Sequence, residues 1–96
     1  MAAGDAYIAS PVSTADAAFL DLQPGAGVEV VVHNVYVPEG TAVELYYYDG
    51  TDTLKWFSTN TSVLNLQAHC TNGTYVRVKN VSGAAAILAA DGMTTK

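Results

Sequence analysis

Residues 28–37, Val-Glu-Val-Val-Val-His-Asn-Val-Tyr-Val, decide the fold of this chain. β-branched and aromatic residues favour extended structure, so this stretch predicts a long strand. Side chains alternate across a sheet, and under strict alternation the valines fall on both faces of the strand. A strand with one solvated face would carry polar residues at every second position. The pattern therefore predicts that both faces are covered, the second one by another copy of the chain or by a partner.

Length and composition predict one small domain whose surface is either unusually neutral or largely interface. The chain has 96 residues, of which 50% are hydrophobic and 14% charged, whereas charged residues make up about 25% of typical soluble domains. A net charge of −5 repels phosphate backbones and argues against nucleic-acid binding. The single cysteine, Cys70, allows no internal disulfide, which fits synthesis in a reducing cytoplasm. A small β-domain without disulfides depends on oligomerisation for stability.

Membrane insertion and secretion are not predicted. The apolar stretches are far shorter than the roughly 20 residues that span a bilayer. Residues 1–5 also lack the basic and hydrophobic segments of a signal peptide.

Turn signals divide the chain into short strands and indicate no helix. Asp49-Gly50 and Asn72-Gly73 suit tight hairpin turns, so residues 42–49 are expected to pair with 53–59, and residues 62–71 with 74–81. The predicted fold is all-β, an antiparallel β-sandwich or a jelly-roll-like barrel with seven or eight short strands. The expected strands lie near residues 5–10, 17–23, 28–37, 42–49, 53–59, 62–69, 74–81 and 84–90.

Two domain segments are predicted. Residues 1–15 are expected to form an extended N-terminal arm that reaches a neighbouring subunit, with Tyr7, Ile8 and Val12 as apolar anchors. Residues 16–96 are expected to form the β-sandwich domain.

Aromatic residues cluster in the hairpin predicted at 42–59. They are Tyr46, Tyr47, Tyr48, Trp56 and Phe57. Three interpretations remain open from the sequence: core packing, a contact between subunits, or a platform on which sugar rings stack. On the strand predicted at residues 74–81, Arg77 and Lys79 form a short basic stripe. This stripe either is solvated or pairs with acids of a neighbouring subunit.

The sequence offers no catalytic constellation and no metal-binding motif. His33, His69 and Cys70 are the candidate soft ligands or nucleophiles, but their spacing matches no known zinc pattern. Adjacent positions on a strand point to opposite faces, so His69 cannot activate Cys70. The chain is therefore predicted not to be an enzyme and to need no cofactor. A cupin-like enzyme, with His33 and His69 directed into one barrel, is the weakest of three functional hypotheses.

Several stretches resemble a group of small virion proteins of tailed bacteriophages. They are Val-Val-Val-His-Asn-Val-Tyr-Val (30–37), Val-Glu-Leu-Tyr-Tyr-Tyr-Asp-Gly-Thr (43–51), His-Cys-Thr-Asn (69–72), Tyr-Val-Arg-Val-Lys-Asn (75–80) and Ala-Ala-Asp-Gly (89–92). The resemblance implies a β-rich, multi-copy structural protein of the virion, such as a capsid decoration protein, made in the bacterial cytoplasm.

The leading hypothesis is accordingly a non-enzymatic virion protein that forms a closed homo-oligomer, preferably a trimer, on the capsid or neck. Its partner would be the major capsid protein or another virion protein. The alternative hypothesis is a tail-tip or fibre module that binds host glycans. The residues expected at the contacts between chains are Val31, Val35, Val37, Tyr46, Tyr48, Tyr7, Ile8 and Val12.

Overall fold

The computed structural model describes residues 4–95, apart from the side chains of residues 8–13. Over this range the chain is all-β, with eight strands and no helix. The strands form two four-stranded antiparallel sheets packed together, which confirms the predicted β-sandwich. The described residues contain no helix that could cross a membrane.

Successive strands of the described chain alternate between the two sheets, except for β4 and β5. The first sheet has the order β1-β8-β3-β6 and the second β2-β7-β4-β5. Only β4 and β5 are consecutive in the chain and paired within one sheet. The strands are β1 (Ala6–Thr14), β2 (Phe19–Asp21), β3 (Val30–Tyr36), β4 (Val43–Tyr48), β5 (Thr53–Thr59), β6 (Ala68–Cys70), β7 (Tyr75–Asn80) and β8 (Ala86–Thr94).

A β-bulge in β3 explains why its valines occur at both parities. Val32 pairs with Gly92 of β8 and Asn34 pairs with Asp91, so His33 is an extra residue without a partner in β8. An extra residue reverses the alternation of side chains beyond it. Val30 and Val32 before the bulge and Val35 after it are consequently all fully buried in one core. The prediction that these valines lie on both faces of the strand, and so call for a partner to cover the second face, was therefore wrong.

One of the two predicted hairpins is present. β4 and β5 pair antiparallel through the Asp49-Gly50 turn, where the Asp49 carboxylate accepts hydrogen bonds from the backbone N–H groups of Thr51 and Asp52. The prediction that residues 62–71 pair with 74–81 was wrong. Although the Thr71 N–H donates to the Thr74 carbonyl oxygen across the Asn72-Gly73 turn, β6 joins β3 in the first sheet and β7 joins β4 in the second.

The predicted N-terminal arm is largely part of the sandwich. Residues 6–14 are extended, as expected, but they form β1 and pair with β8 of the same chain. Tyr7 lies opposite Gly92 and is 91% buried in the core. Ile8 lies opposite Asp91 and Val12 opposite Leu88, whereas their side chains lie outside the described part of the structure.

All four edge strands carry features that hinder the addition of a further strand. β2 and β6 are only three residues long. β1 contains Pro11, which has no N–H to donate, within an irregular stretch of its pairing with β8. β5 contains Lys55 and a bulge at Trp56, because Leu45 pairs with Phe57 whereas Tyr46 pairs with Lys55. Short edges, charges and bulges all disfavour strand addition.

Candidate interaction surfaces

Three of the predicted contact residues pack inside the hydrophobic core of their own chain. Val35 is fully buried and Val37 is 7% exposed, while Tyr7 is 9% exposed. In addition to its pairing with β8, Val35 forms an isolated β-bridge with Val63. The backbone N–H of each residue donates to the carbonyl oxygen of the other at 2.8 Å. These residues are therefore not available to cover a second subunit, and the interface predicted at them is corrected to core packing.

Val31 lies on the outer side of the first sheet, where it meets other apolar residues. It pairs directly with Met93 of β8, and Tyr36 pairs with Ala89. The side chains of β8 alternate regularly between the two faces of the sheet. Ile87, Ala89 and Met93 therefore lie on the outer side, whereas Leu88 and Ala90 point into the core. Tyr36 is 41% exposed, Ile87 59% and Met93 48%. We call this surface the outer apolar face; its residues are Val31, Tyr36, Ile87, Ala89 and Met93.

A hydrogen-bonded carboxylate lies within the outer apolar face. Asp91 accepts a hydrogen bond from Asn34 Nδ2 at 2.8 Å and another from the Tyr36 hydroxyl at 2.7 Å. The hydrogen bond to Asp91 raises the pKa of Tyr36 above its usual value. This arrangement fixes the Tyr36 ring across the face and directs the carboxylate oxygens toward partners in the same chain.

Tyr46 and Tyr48 are half-buried on the outer side of the second sheet. The Tyr46 ring meets Phe19 edge-on with centroids 5.7 Å apart, and Tyr48 packs beside Tyr75 at 5.2 Å. The Tyr46 hydroxyl also donates a hydrogen bond to Glu44. Both tyrosines thus contact their own chain, and their part in a contact between chains stays a prediction.

Arg77, one of the two residues of the basic stripe on β7, forms an ion pair within the chain. Arg77 Nε donates to Asp21 Oδ1 at 2.7 Å, and its guanidinium lies 4.0 Å from the centre of the Phe19 ring. Lys79 lies opposite Glu44 on β4. For Arg77, an acid of the same sheet therefore takes the place that one of the two interpretations gave to a neighbouring subunit.

An aromatic groove opens between the two sheets beside the edge strands β5 and β6. Its volume is about 380 Å³, and its described lining residues are Tyr47, Trp56, Gln67, Ala68, His69 and Val76. Tyr47 continues the inward-facing row of Val43 and Leu45 on β4, but it is 39% exposed because the three-residue β6 covers little of this row. Sequence parity placed Tyr47 and Leu45 on one face, yet it gave no sign of where the opposite sheet ends.

Trp56 reaches the groove because it is the bulged residue of β5. Its side chain is 48% exposed, and its ring meets that of Phe57 edge-on with centroids 5.2 Å apart. Core packing, the first of the three interpretations, therefore applies to Phe57, which packs against the core, whereas Trp56 lies at the surface. Gln67, which lies in the irregular segment before β6, was not predicted, since no sequence pattern marks it.

The candidate ligands and nucleophiles do not converge. His33 is half-buried at the β3 bulge, whereas His69 is exposed and pairs with Glu29 at 3.2 Å. Cys70 is buried, its thiol donates to the Ala68 carbonyl oxygen at 3.7 Å, and burial raises its pKa. Among the residues that the structure describes, no group of three or more His, Cys, Asp or Glu side chains is placed to hold a metal ion. The cupin-like arrangement of two inward histidines is not formed, since neither histidine lies in the core.

Comparison of the chain with protein-family models and with curated protein sequences gives no significant match. The resemblance to bacteriophage virion proteins therefore rests on the stretches quoted above. The fold and the two exposed surfaces provide the physical basis for a functional proposal.

Proposed function

We propose that this chain is a non-enzymatic structural protein of a bacteriophage virion, a capsid decoration protein that assembles as a closed homo-oligomer, preferably a trimer. The observation that carries the proposal is the outer apolar face. A solvated sheet face is expected to be polar, yet Tyr36, Ile87 and Met93 are each at least 41% exposed there. Contiguous exposed apolar surface is typical of protein interaction sites.

Val31 is a contact residue predicted from the sequence that also belongs to the outer apolar face. It was predicted as a contact residue, and it lies half-buried beside Met93 on the outer apolar face. We place the contact between subunits, or between the protein and the capsid, on this face. The hindered edges of both sheets favour a contact through side chains over a continuous intermolecular sheet.

Sedimentation of the purified chain tests the oligomer. We expect a species larger than the monomer, with the mass of a trimer, because burial of the outer apolar face stabilises the association. Met93→Asp should shift the population to a folded monomer. Leu54→Asp is the matched control, because Leu54 is similarly exposed at 53% but lies on the second sheet, and it should leave the mass unchanged.

Binding to particles tests the virion role. The tagged protein is expected to co-sediment with capsids of the phage whose genome encodes it, and the bound amount should saturate. A wild-type protein that stays monomeric at high concentration and does not bind these capsids would contradict the proposal. A wild-type monomer that still saturates the capsids would instead assign the outer apolar face to the capsid contact.

A further inference from the structure

We propose that the aromatic groove is a binding site for a neutral carbohydrate. The groove lies beside β5 and β6 and borders the outer apolar face where His69 pairs with Val31. The inference does not depend on the virion assignment. Its volume of about 380 Å³ lies within the range of small-ligand sites, which is about 300–1,000 Å³.

The aromatic side chains provide the first element of recognition. Trp56 and Tyr47 are 48% and 39% exposed at the groove. The C–H groups on one side of a pyranose ring carry partial positive charge and are attracted to the negative face of an aromatic ring. Phe57 packs edge-on against Trp56, which limits the entropy that the indole loses when a ligand binds.

Polar side chains at the same groove provide the second element. The amide of Gln67 has two N–H donors and a carbonyl acceptor, a combination that can serve the hydroxyl groups of a sugar in either role. His69 lies in the same lining and is oriented by its contact with Glu29 at 3.2 Å. Apolar walls with a few directional polar groups are the usual composition of a small-ligand site.

The charges of the groove lining and of the whole chain favour a neutral ligand. The described residues that line the groove include no Lys, Arg, Asp or Glu, and the whole chain has a net charge of −5. His69 already pairs with Glu29, and no other described lining side chain can carry a positive charge to compensate an acidic sugar or a phosphate. The protein's field also opposes anions. No lining carboxylate is available to pair with a cationic ligand. A neutral pyranose combines the apolar face and the hydroxyl groups that these side chains can recognise.

Trp56 is the only tryptophan of the chain, so intrinsic fluorescence reports directly on the groove. The probes are methyl glycosides of glucose, galactose, mannose and N-acetylglucosamine, with sialyllactose as the anionic comparator. We expect at least one neutral glycoside to change the emission of Trp56 in a saturable way, with a dissociation constant in the millimolar range. Sialyllactose should bind more weakly or not at all.

Variants test the assignment by titration calorimetry or by NMR, which do not need the indole. Trp56→Ala should weaken binding by about tenfold or more, and Trp56→Phe by less, because stacking scales with the aromatic surface. Gln67→Ala should reduce affinity without changing the fold. Ile87→Ala on the first sheet is the control and should bind like the wild type.

Three outcomes would overturn the proposal. The first is that no neutral glycoside changes the emission or the NMR spectrum of the folded protein. The second is equal or tighter binding of sialyllactose. The third is a Trp56 emission that is insensitive to the glycosides and shifts with protein concentration instead, which would show that a second copy of the chain covers the groove.

Discussion

Gly92 and Val31 approach so closely that a side chain at position 92 has no room. A Cβ built on Gly92 would lie 2.0 Å from the carbonyl oxygen of Val31 and 2.8 Å from the Cα of Val32. The contact arises at the β3 bulge, where Gly92 pairs with Val32 just before the extra residue His33. The glycine is therefore required by the same irregularity that directs the valines of β3 into one core.

Gly92→Ala is expected to lower the free energy of unfolding by about 3 kcal/mol, because the obstacle is backbone and the two central strands must separate to admit the methyl group. Urea unfolding followed by circular dichroism measures the change. Gly25→Ala is the matched control, since a Cβ at Gly25 would meet nothing within 4 Å, and its effect should stay within about 0.5 kcal/mol. Equal stability of the two variants would contradict the close approach at the bulge.

Asn80 is expected to be the polar side chain whose loss costs most. It is fully buried, and its Nδ2 donates to the carbonyl oxygens of Thr14 and Ala84 at 2.8 and 2.7 Å. Its Oδ1 accepts from the backbone N–H and the hydroxyl of Ser82. Asn80→Ala leaves these groups unsatisfied and should cost about 3 kcal/mol in chemical denaturation.

The isosteric variant separates hydrogen bonding from packing at this site. Asn80→Asp keeps the size of the side chain but cannot donate to two carbonyl oxygens at neutral pH, so it should be at least as destabilising as Asn80→Ala. Asn60→Ala, at an exposed position, is the control and should change stability by no more than about 0.5 kcal/mol. Wild-type stability of Asn80→Asp would be incompatible with the hydrogen bonds described.

Glu44 is expected to make stability depend on pH in the acidic range. The hydroxyl of Tyr46 and then the ammonium group of Lys55 hydrogen-bond to its carboxylate and lower its pKa from the ordinary value of 4.5. A carboxylate with a lowered pKa in the folded state stabilises the protein above its unfolded-state pKa. This contribution is lost as the pH falls through the lowered folded-state value.

Unfolding curves of Glu44→Gln at several pH values test this dependence. The variant should show a smaller loss of stability than the wild type as the pH is lowered from about 5 toward 3. Glu39→Gln, an exposed position on the turn between β3 and β4, is the control and should follow the wild type. Parallel curves for the wild type and Glu44→Gln would exclude a stabilising role of this carboxylate.

The sequence predicted the fold class and the β4–β5 hairpin because both depend on local signals. Alternating apolar residues mark the strands, and Asp49-Gly50 marks their turn. The arrangement of β6 and β7 could not be predicted in this way, since a tight turn such as Asn72-Gly73 connects strands of one sheet or of two opposed sheets equally well. The choice depends on long-range pairing with β3 and β4.

The candidate surfaces depended on irregularities that alternation does not reveal. Strict parity divided the valines of β3 between two faces, whereas the bulge at His33 gathers those at positions 30, 32 and 35 into one core. A second bulge at Trp56 explains how that side chain reaches the groove. Val31 was predicted as a residue of the contact between chains, and that stays a prediction. Its neighbour Met93 was missed, because residues beyond 90 were not predicted to belong to a strand.

The hindered edges of both sheets have a consequence for a protein held at high density. Cross-β fibrils grow when backbone N–H and C=O groups of one molecule template the next. Here Pro11, Lys55, the bulge at Trp56 and two three-residue strands leave little regular edge to act as a template. The proposed assembly would therefore keep many copies close together without offering edges from which amyloid could grow.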